Sequence, residues 1–183
     1  MFIWGAQLEA GAFATSYIPT VASQVTRAAD SASMIGTNFA RWYNPNTGTF
    51  YLEASGRQPA LVFSNATSGY ANYRSLYRQP ASANQPVIAF EANAGVTSAN
   101  LTLGLTDGNP FKAAYAYATN NFAGSLNGAA VVTDTSGTPA LAVDRMGIGT
   151  DYGAGAAVST GLYKRIAFYS RVLSPTEQQG ITS

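Results

Sequence analysis

Side chains that switch between apolar and polar at every step, in one short segment after another, are what most restrict the folds open to this chain. In Gly48–Ser55, Phe50, Leu52 and Ala54 fall on one side and Thr49, Tyr51, Glu53 and Ser55 on the other. A period of two belongs to a pleated strand with one face turned to a core. Leu101–Thr106 repeats the pattern, with three leucines expected inward and small residues outward. Ala114–Ala118 interleaves alanine with Tyr115 and Tyr117, and Leu162–Tyr169 alternates less regularly. Turn signals separate these runs: Asn44-Pro45-Asn46, Ser68-Gly69, Asp107-Gly108-Asn109-Pro110, Asn127-Gly128 and Ser136-Gly137. Asn127-Gly128 is the sharpest, because a two-residue type I′ turn needs positive φ at both positions. It predicts a hairpin between Asn121–Leu126 and Ala129–Asp134. Only one helix is expected. Ser174-Pro175-Thr176-Glu177 supplies an N-cap serine, proline at the first helical position and glutamate at the third, a capping box. Many short strands and one terminal helix predict an all-β chain, an antiparallel β-sandwich or barrel.

Composition narrows the partners. The 183 residues carry a net charge of +1 with 10% charged side chains, which leaves no basic stripe for nucleic acid. Without cysteine there is no disulfide framework and no thiol nucleophile. Without histidine the commonest general base and zinc ligand is missing. No apolar run approaches the roughly 20 residues of a membrane-spanning helix, and no signal peptide is read at the start. The first thirty residues differ from the rest. Phe2–Glu9 reads as a strand followed by a connector through Pro19, the end of a preceding module plus a linker. The expected organisation is therefore 1–30 as that strand and linker, and 31–183 as the sandwich.

Two stretches carry a family resemblance. Trp4-Gly5-Ala6-Gln7-Leu8-Glu9, Ala14-Thr15-Ser16-Tyr17-Ile18-Pro19-Thr20 and Val25-Thr26-Arg27-Ala28-Ala29-Asp30 resemble a linker of bacteriophage tail-fibre and head-spike proteins. The second stretch runs from Phe122-Ala123-Gly124-Ser125-Leu126-Asn127-Gly128 and Arg145-Met146-Gly147-Ile148-Gly149 to Gly161–Tyr169 and Arg171-Val172-Leu173-Ser174. It resembles the last strands and terminal helix of a concanavalin A-like (laminin-G-like) lectin/glucanase sandwich. The resemblance implies a jelly roll on a virion fibre or spike, a homotrimer joined to upstream fibre or spike modules. One such sandwich hosts many roles, so function has to be argued from side chains.

Glucanases of this fold place acid and nucleophile on alternate residues of one strand. Here the nearest two carboxylates in sequence, Asp144 and Asp151, are seven positions apart. No catalytic residue is assigned. Asp107-Gly108-Asn109 and Asp134 offer hard oxygen ligands of the kind calcium takes. Aspartate and asparagine also occupy turns because they bond their own backbone, so no metal or cofactor is expected.

Neutral sugars pack an apolar ring face on an aromatic side chain and offer hydroxyls to planar hydrogen-bonding groups. Trp42 and Tyr43 precede a turn, Tyr70 and Tyr73 flank Asn72, and Tyr77 follows. Tyr152 lies beside Gly153, and Arg57, Arg74 and Arg78 favour an acidic glycan. Plainer roles stand beside these. Trp42 also fits a core or subunit contact, Tyr73 and Tyr77 the covering of a sandwich face, Tyr115 and Tyr117 the core or a trimer interface. Three functions follow: a module binding bacterial surface polysaccharide without catalysis, a structural cap of the fibre, or a depolymerase using Glu53 or Asp151.

Overall fold

By its contacts the chain divides into two units, Met1–Asp30 and Ser31–Ser183, and the second forms the sandwich. The structure, a computed structural model, describes residues 32–66, 69–79, 84–149 and 161–183, without the side chains of Gly69 and Tyr70. The strand expected at Phe2–Glu9, its connector, Asp151 and Tyr152 lie outside the described residues.

The described elements are β1 (Ala32–Ile35), α1 (Gly36–Ala40), β2 (Gly48–Ser55), β3 (Ala60–Asn65), β4 (Gly69–Arg78), β5 (Pro86–Asn93) and β6 (Val96–Leu105). After them come β7 (Phe111–Ala118), β8 (Asn121–Leu126), β9 (Val132–Asp134), β10 (Arg145–Ile148), β11 (Leu162–Tyr169) and α2 (Pro175–Thr182). They build two sheets, six strands in the order β1-β10-β3-β4-β5-β6 and five in the order β11-β2-β7-β8-β9. Every pairing is antiparallel. The expected all-β sandwich with one short C-terminal helix is the observed architecture.

The alternation read in the sequence accounts for the core between the layers. Phe50, Leu52 and Ala54 of β2 meet Leu61, Phe63 and Leu76 from the other sheet, with Tyr115 and Tyr117 of β7 beside them. Both tyrosines are therefore core residues. Aromatic rings gather at one end: Phe50–Phe63 centroids lie 4.1 Å apart and Phe39–Tyr43 4.4 Å. Burying rings of this size supplies much of the drive to close the sandwich.

Two expectations are corrected. Leu101 and Leu103 point inward, but Leu105 is 56% exposed while Thr106 is buried and donates to Gln85 O at 2.8 Å. The register shift between Val87 and Ile88 inserts an extra residue on β6, which inverts the alternation past that point. The hairpin turn at Asn127-Gly128 forms with φ of 48° and 74°, closed by Ala129 N donating to Leu126 O at 2.9 Å. Its second strand, however, begins only at Val132. Ser125 Oγ donates to Ala129 O, so the residues after the turn bond a side chain before the ladder resumes.

The capping box is present. Glu177 N donates to Ser174 Oγ at 3.3 Å and Ser174 N to Glu177 Oε2 at 2.8 Å. From there α2 runs along the outer face of the five-stranded sheet. Leu173 N donates to Thr49 Oγ1 at its start, and Thr182 Oγ1 meets Ser125 Oγ at its end. Between these anchors the outward residues of β7, Ala114 and Ala116, are small enough for a helix to approach. The short helix α1 has no periodic signal in the sequence. It is held by its one buried side chain, Phe39.

Candidate functional site

A connected group of polar side chains lies inside the sandwich. Arg74 of β4 is fully buried, and it donates from Nη2 to Glu91 Oε1 at 2.6 Å and from Nε to Oε2 at 2.7 Å. Its Nη1 donates to Tyr43 Oη at 2.5 Å, and its guanidinium lies 3.3 Å from the Tyr117 ring centre. Tyr115 Oη donates to Glu91 Oε2 at 3.0 Å, and Ala140 N donates to Glu91 Oε1. The bidentate fork, the cation–π contact and the extra donors satisfy a charge pair that water cannot reach. Burial works to lower the Arg74 pKa, but Glu91 and the surrounding tyrosines outweigh it and raise the value. Burial likewise raises the Tyr43 hydroxyl, to about 12, and the Tyr115 hydroxyl well above its usual value. Arg74 and Tyr43, expected at a glycan site, are components of this internal network. Their alternation and turn contexts read the same either way; only the packing of the second sheet decides it.

Arg78 is also fully buried and donates to the carbonyls of Gly56 and Asn109, with its guanidinium 4.7 Å from the Phe111 ring centre. It ties the β2–β3 and β6–β7 loops at one end of the sandwich, and burial lowers its pKa. Trp42 is half-buried against the core, donating from Nε1 to Met34 Sδ at 3.0 Å with its ring 5.2 Å from Phe168. It sits near the start of β2, whereas Arg57, which is exposed, follows the end of that strand. The expected cluster is therefore split between opposite ends of the sandwich. Tyr70 contributes only its backbone to the description, and Tyr152 lies outside it.

Tyr73 and Tyr77 do come together, on the outer face of the six-stranded sheet. There Ala60, Val62 and Tyr73 form a second apolar cluster with Tyr77 and Phe90 packed against it. Cross-strand register sets the layout: Tyr77 opposes Ile88, which opposes Thr102, while Ser75 opposes Phe90, which opposes Asn100. Tyr73 is only 6% exposed, but the rings of Tyr77 and Phe90 are half-buried and Asn100 and Thr102 are exposed. The result is a shallow strip three strands wide: ring faces on β4 and β5, with an amide and a hydroxyl on β6. Arg57 lies beyond Ala60, the cross-strand partner of Tyr77. Phe90, Asn100 and Thr102 were not among the sequence candidates. Their signal was the same alternation that turned Leu101 and Leu103 inward.

The described carboxylates are engaged singly. Glu53 pairs with Lys164 at 2.7 Å, Asp144 with Arg145 at 2.8 Å and Glu177 with Arg171 at 2.6 Å. Glu53 also lines a cleft of ≈ 290 Å³ with Phe111, Lys112 and Asn127. Asp134 Oδ1 accepts from Ser136 N at 2.9 Å, while Asp107 holds a left-handed turn position (φ 46°) at the opposite end of the sandwich. Among the described residues no group of three acidic side chains is placed to hold a metal ion.

No family model matches the chain, and no curated protein matches it in sequence. Solved structures do. The CBM40 of the Ruminococcus gnavus IT-sialidase matches with TM-score 0.63 at 18% identity, over 79% of this chain and 86% of that one. The same module bound to α2,3-sialyllactose matches with TM-score 0.64. The likeness is one of fold. The NanB sialidase of Streptococcus pneumoniae matches with TM-score 0.65 at 14% identity, over 82% of this chain but 26% of that one. The sandwich thus shares its fold with that carbohydrate-binding module and with about a quarter of that sialidase.

Proposed function

We propose that this chain is a carbohydrate-binding module that holds a bacterial surface polysaccharide without cleaving it, as part of a trimeric virion fibre or spike. The observation that carries the glycan reading is the aromatic and polar strip on the outer sheet face, on the fold of a module solved with α2,3-sialyllactose. Rings of Tyr77 and Phe90 supply the apolar floor, and Asn100 and Thr102 supply donors and acceptors for hydroxyls. Arg57, at the end of the strip, adds preference for an acidic sugar. Sites of this shape bind weakly one at a time, and repetition along a fibre multiplies them. The linker resemblance of residues 4–30 supports the virion role.

The test is a glycan array probed with the full chain, followed by attachment to matched host cells in competition with purified capsule. Binding that falls at least tenfold in Tyr77→Ala, with the melting temperature retained, is expected. Silence on every glycan would favour a structural cap and overturn the reading. So would reducing ends released from host polysaccharide by the wild type and not by Glu53→Ala or Asp151→Ala.

A further inference from the structure

Charge is spread unevenly along the sandwich. Arg57 follows β2, Arg78 ends β4, Lys112 lies at the start of β7, and Lys164 and Arg165 at the start of β11. Register brings them to one end, since Phe111 opposes Ala54, Leu162 opposes Ser55 and Tyr77 opposes Ala60. There they face only Glu53 and Asp107. The opposite end sets Arg41, Arg145 and Arg171 against Asp134, Asp144 and Glu177, and Arg74 and Glu91 neutralise each other between the sheets. Among the described residues the whole positive excess thus sits at one end. Lys112 and Arg165 oppose Glu53 from its two neighbouring strands, and Lys164 Nζ reaches Glu53 Oε1 at 2.7 Å. Arg57, Lys164 and Arg165 are exposed. Under the loops of this end lies Arg78, whose partners are two carbonyls and whose Nε has no partner among the described residues. Carbonyl dipoles do not cancel a full charge, and its field reaches the surface above. A cleft of ≈ 290 Å³ opens here, with Lys112, Phe111 and Asn127 in its walls.

We infer that this end is a second contact surface for the polysaccharide, and that the polymer it takes is polyanionic, with carboxylates on successive sugars. The strip on the six-stranded sheet finishes at Arg57, so a chain lying along it runs onto the charged end. Cations set on four separate segments suit charges spaced along a polymer, whereas a lone anion would need them converged on one point. Clustered over a low-dielectric body, they raise the local concentration of a polyanion and speed its arrival. The inference extends the reading of the strip as a glycan site, but the charge contact does not itself require the strip.

Calorimetry of the full chain tests this, with a linear oligouronate and with the same oligomer after its carboxyls are reduced to alcohols. The uronate should bind at least tenfold tighter at low salt. That advantage should vanish by about 0.5 M salt, where the screening length falls to roughly 4 Å. Lys112→Gln/Lys164→Gln/Arg165→Gln should remove the advantage and leave the reduced oligomer as it was. Lys112→Arg/Lys164→Arg keeps the charge and should behave like the wild type. Circular dichroism checks that both variants fold. A uronate bound no tighter than its reduced form, or an advantage that survives in the triple variant, would overturn the inference. So would a single-stranded oligonucleotide bound as tightly as the uronate. Tyr77→Ala reads the strip separately and should weaken both oligomers alike. If it weakens neither while the salt-sensitive advantage persists, the strip reading fails and the charged end stands.

Discussion

The Arg74 guanidinium sits between two sheets with its charge matched by Glu91 and its plane covered by Tyr117. A pair like this contributes little net stability when intact, because desolvation offsets most of the attraction, but breaking one side leaves a bare charge in the core. Glu91→Ala should therefore cost about 3–5 kcal/mol, read from the urea midpoint. The double variant Arg74→Met/Glu91→Leu should regain most of that loss. If the double variant is no better than the single one, the pair is not the source of the loss. Sequence alone offered Arg74 and Arg78 as surface cations near tyrosines. Their strand parity shows that they share a face with Leu76, but nothing local says that a carboxylate on β5 will arrive to neutralise one of them.

At the level of elements, α2 is held by its cap and by the Arg171–Glu177 fork at 2.6 and 2.9 Å. The Arg171 hydrogen bonds and then the Ser174 backbone N–H lower the Glu177 carboxyl from its usual value near 4.5 to about 2. A carboxyl depressed in the folded state contributes fully above pH 4.5, and the contribution fades as pH drops toward 2. Protection factors of the Glu177–Thr182 amides, exchange rates corrected for the intrinsic pH dependence, should fall over that window, and Glu177→Gln should flatten the dependence. Unchanged protection factors in the wild type from pH 5 to pH 2.5 would contradict the assignment. This element was legible because its determinants are four consecutive residues, as were those of the Asn127-Gly128 turn. The outward swing of Leu105 was not legible, since a bulge is set by the neighbouring strand's register.

For the molecule as a whole, Asp134 accepts from the backbone two residues on and Asp107 holds a left-handed turn position at the opposite end of the sandwich, so metal removal should change nothing. EDTA is expected to leave both the melting temperature and glycan binding as they were; a fall in either, restored by calcium, would reassign Asp107 or Asp134. The fold class followed from the period of the side chains, which each strand carries locally, and the terminal helix from its cap. Which polar residues reach water did not, because burial depends on what the other sheet sets opposite them. Trp42, Tyr43, Arg74 and Arg78 have the composition of a binding site and the environment of a core. Tyr77 gained Phe90, Asn100 and Thr102 as neighbours only when β4, β5 and β6 aligned. Periodicity is a property of the chain, whereas a surface is assembled from strands distant in sequence, and hydrogen-bond register between them chooses its members.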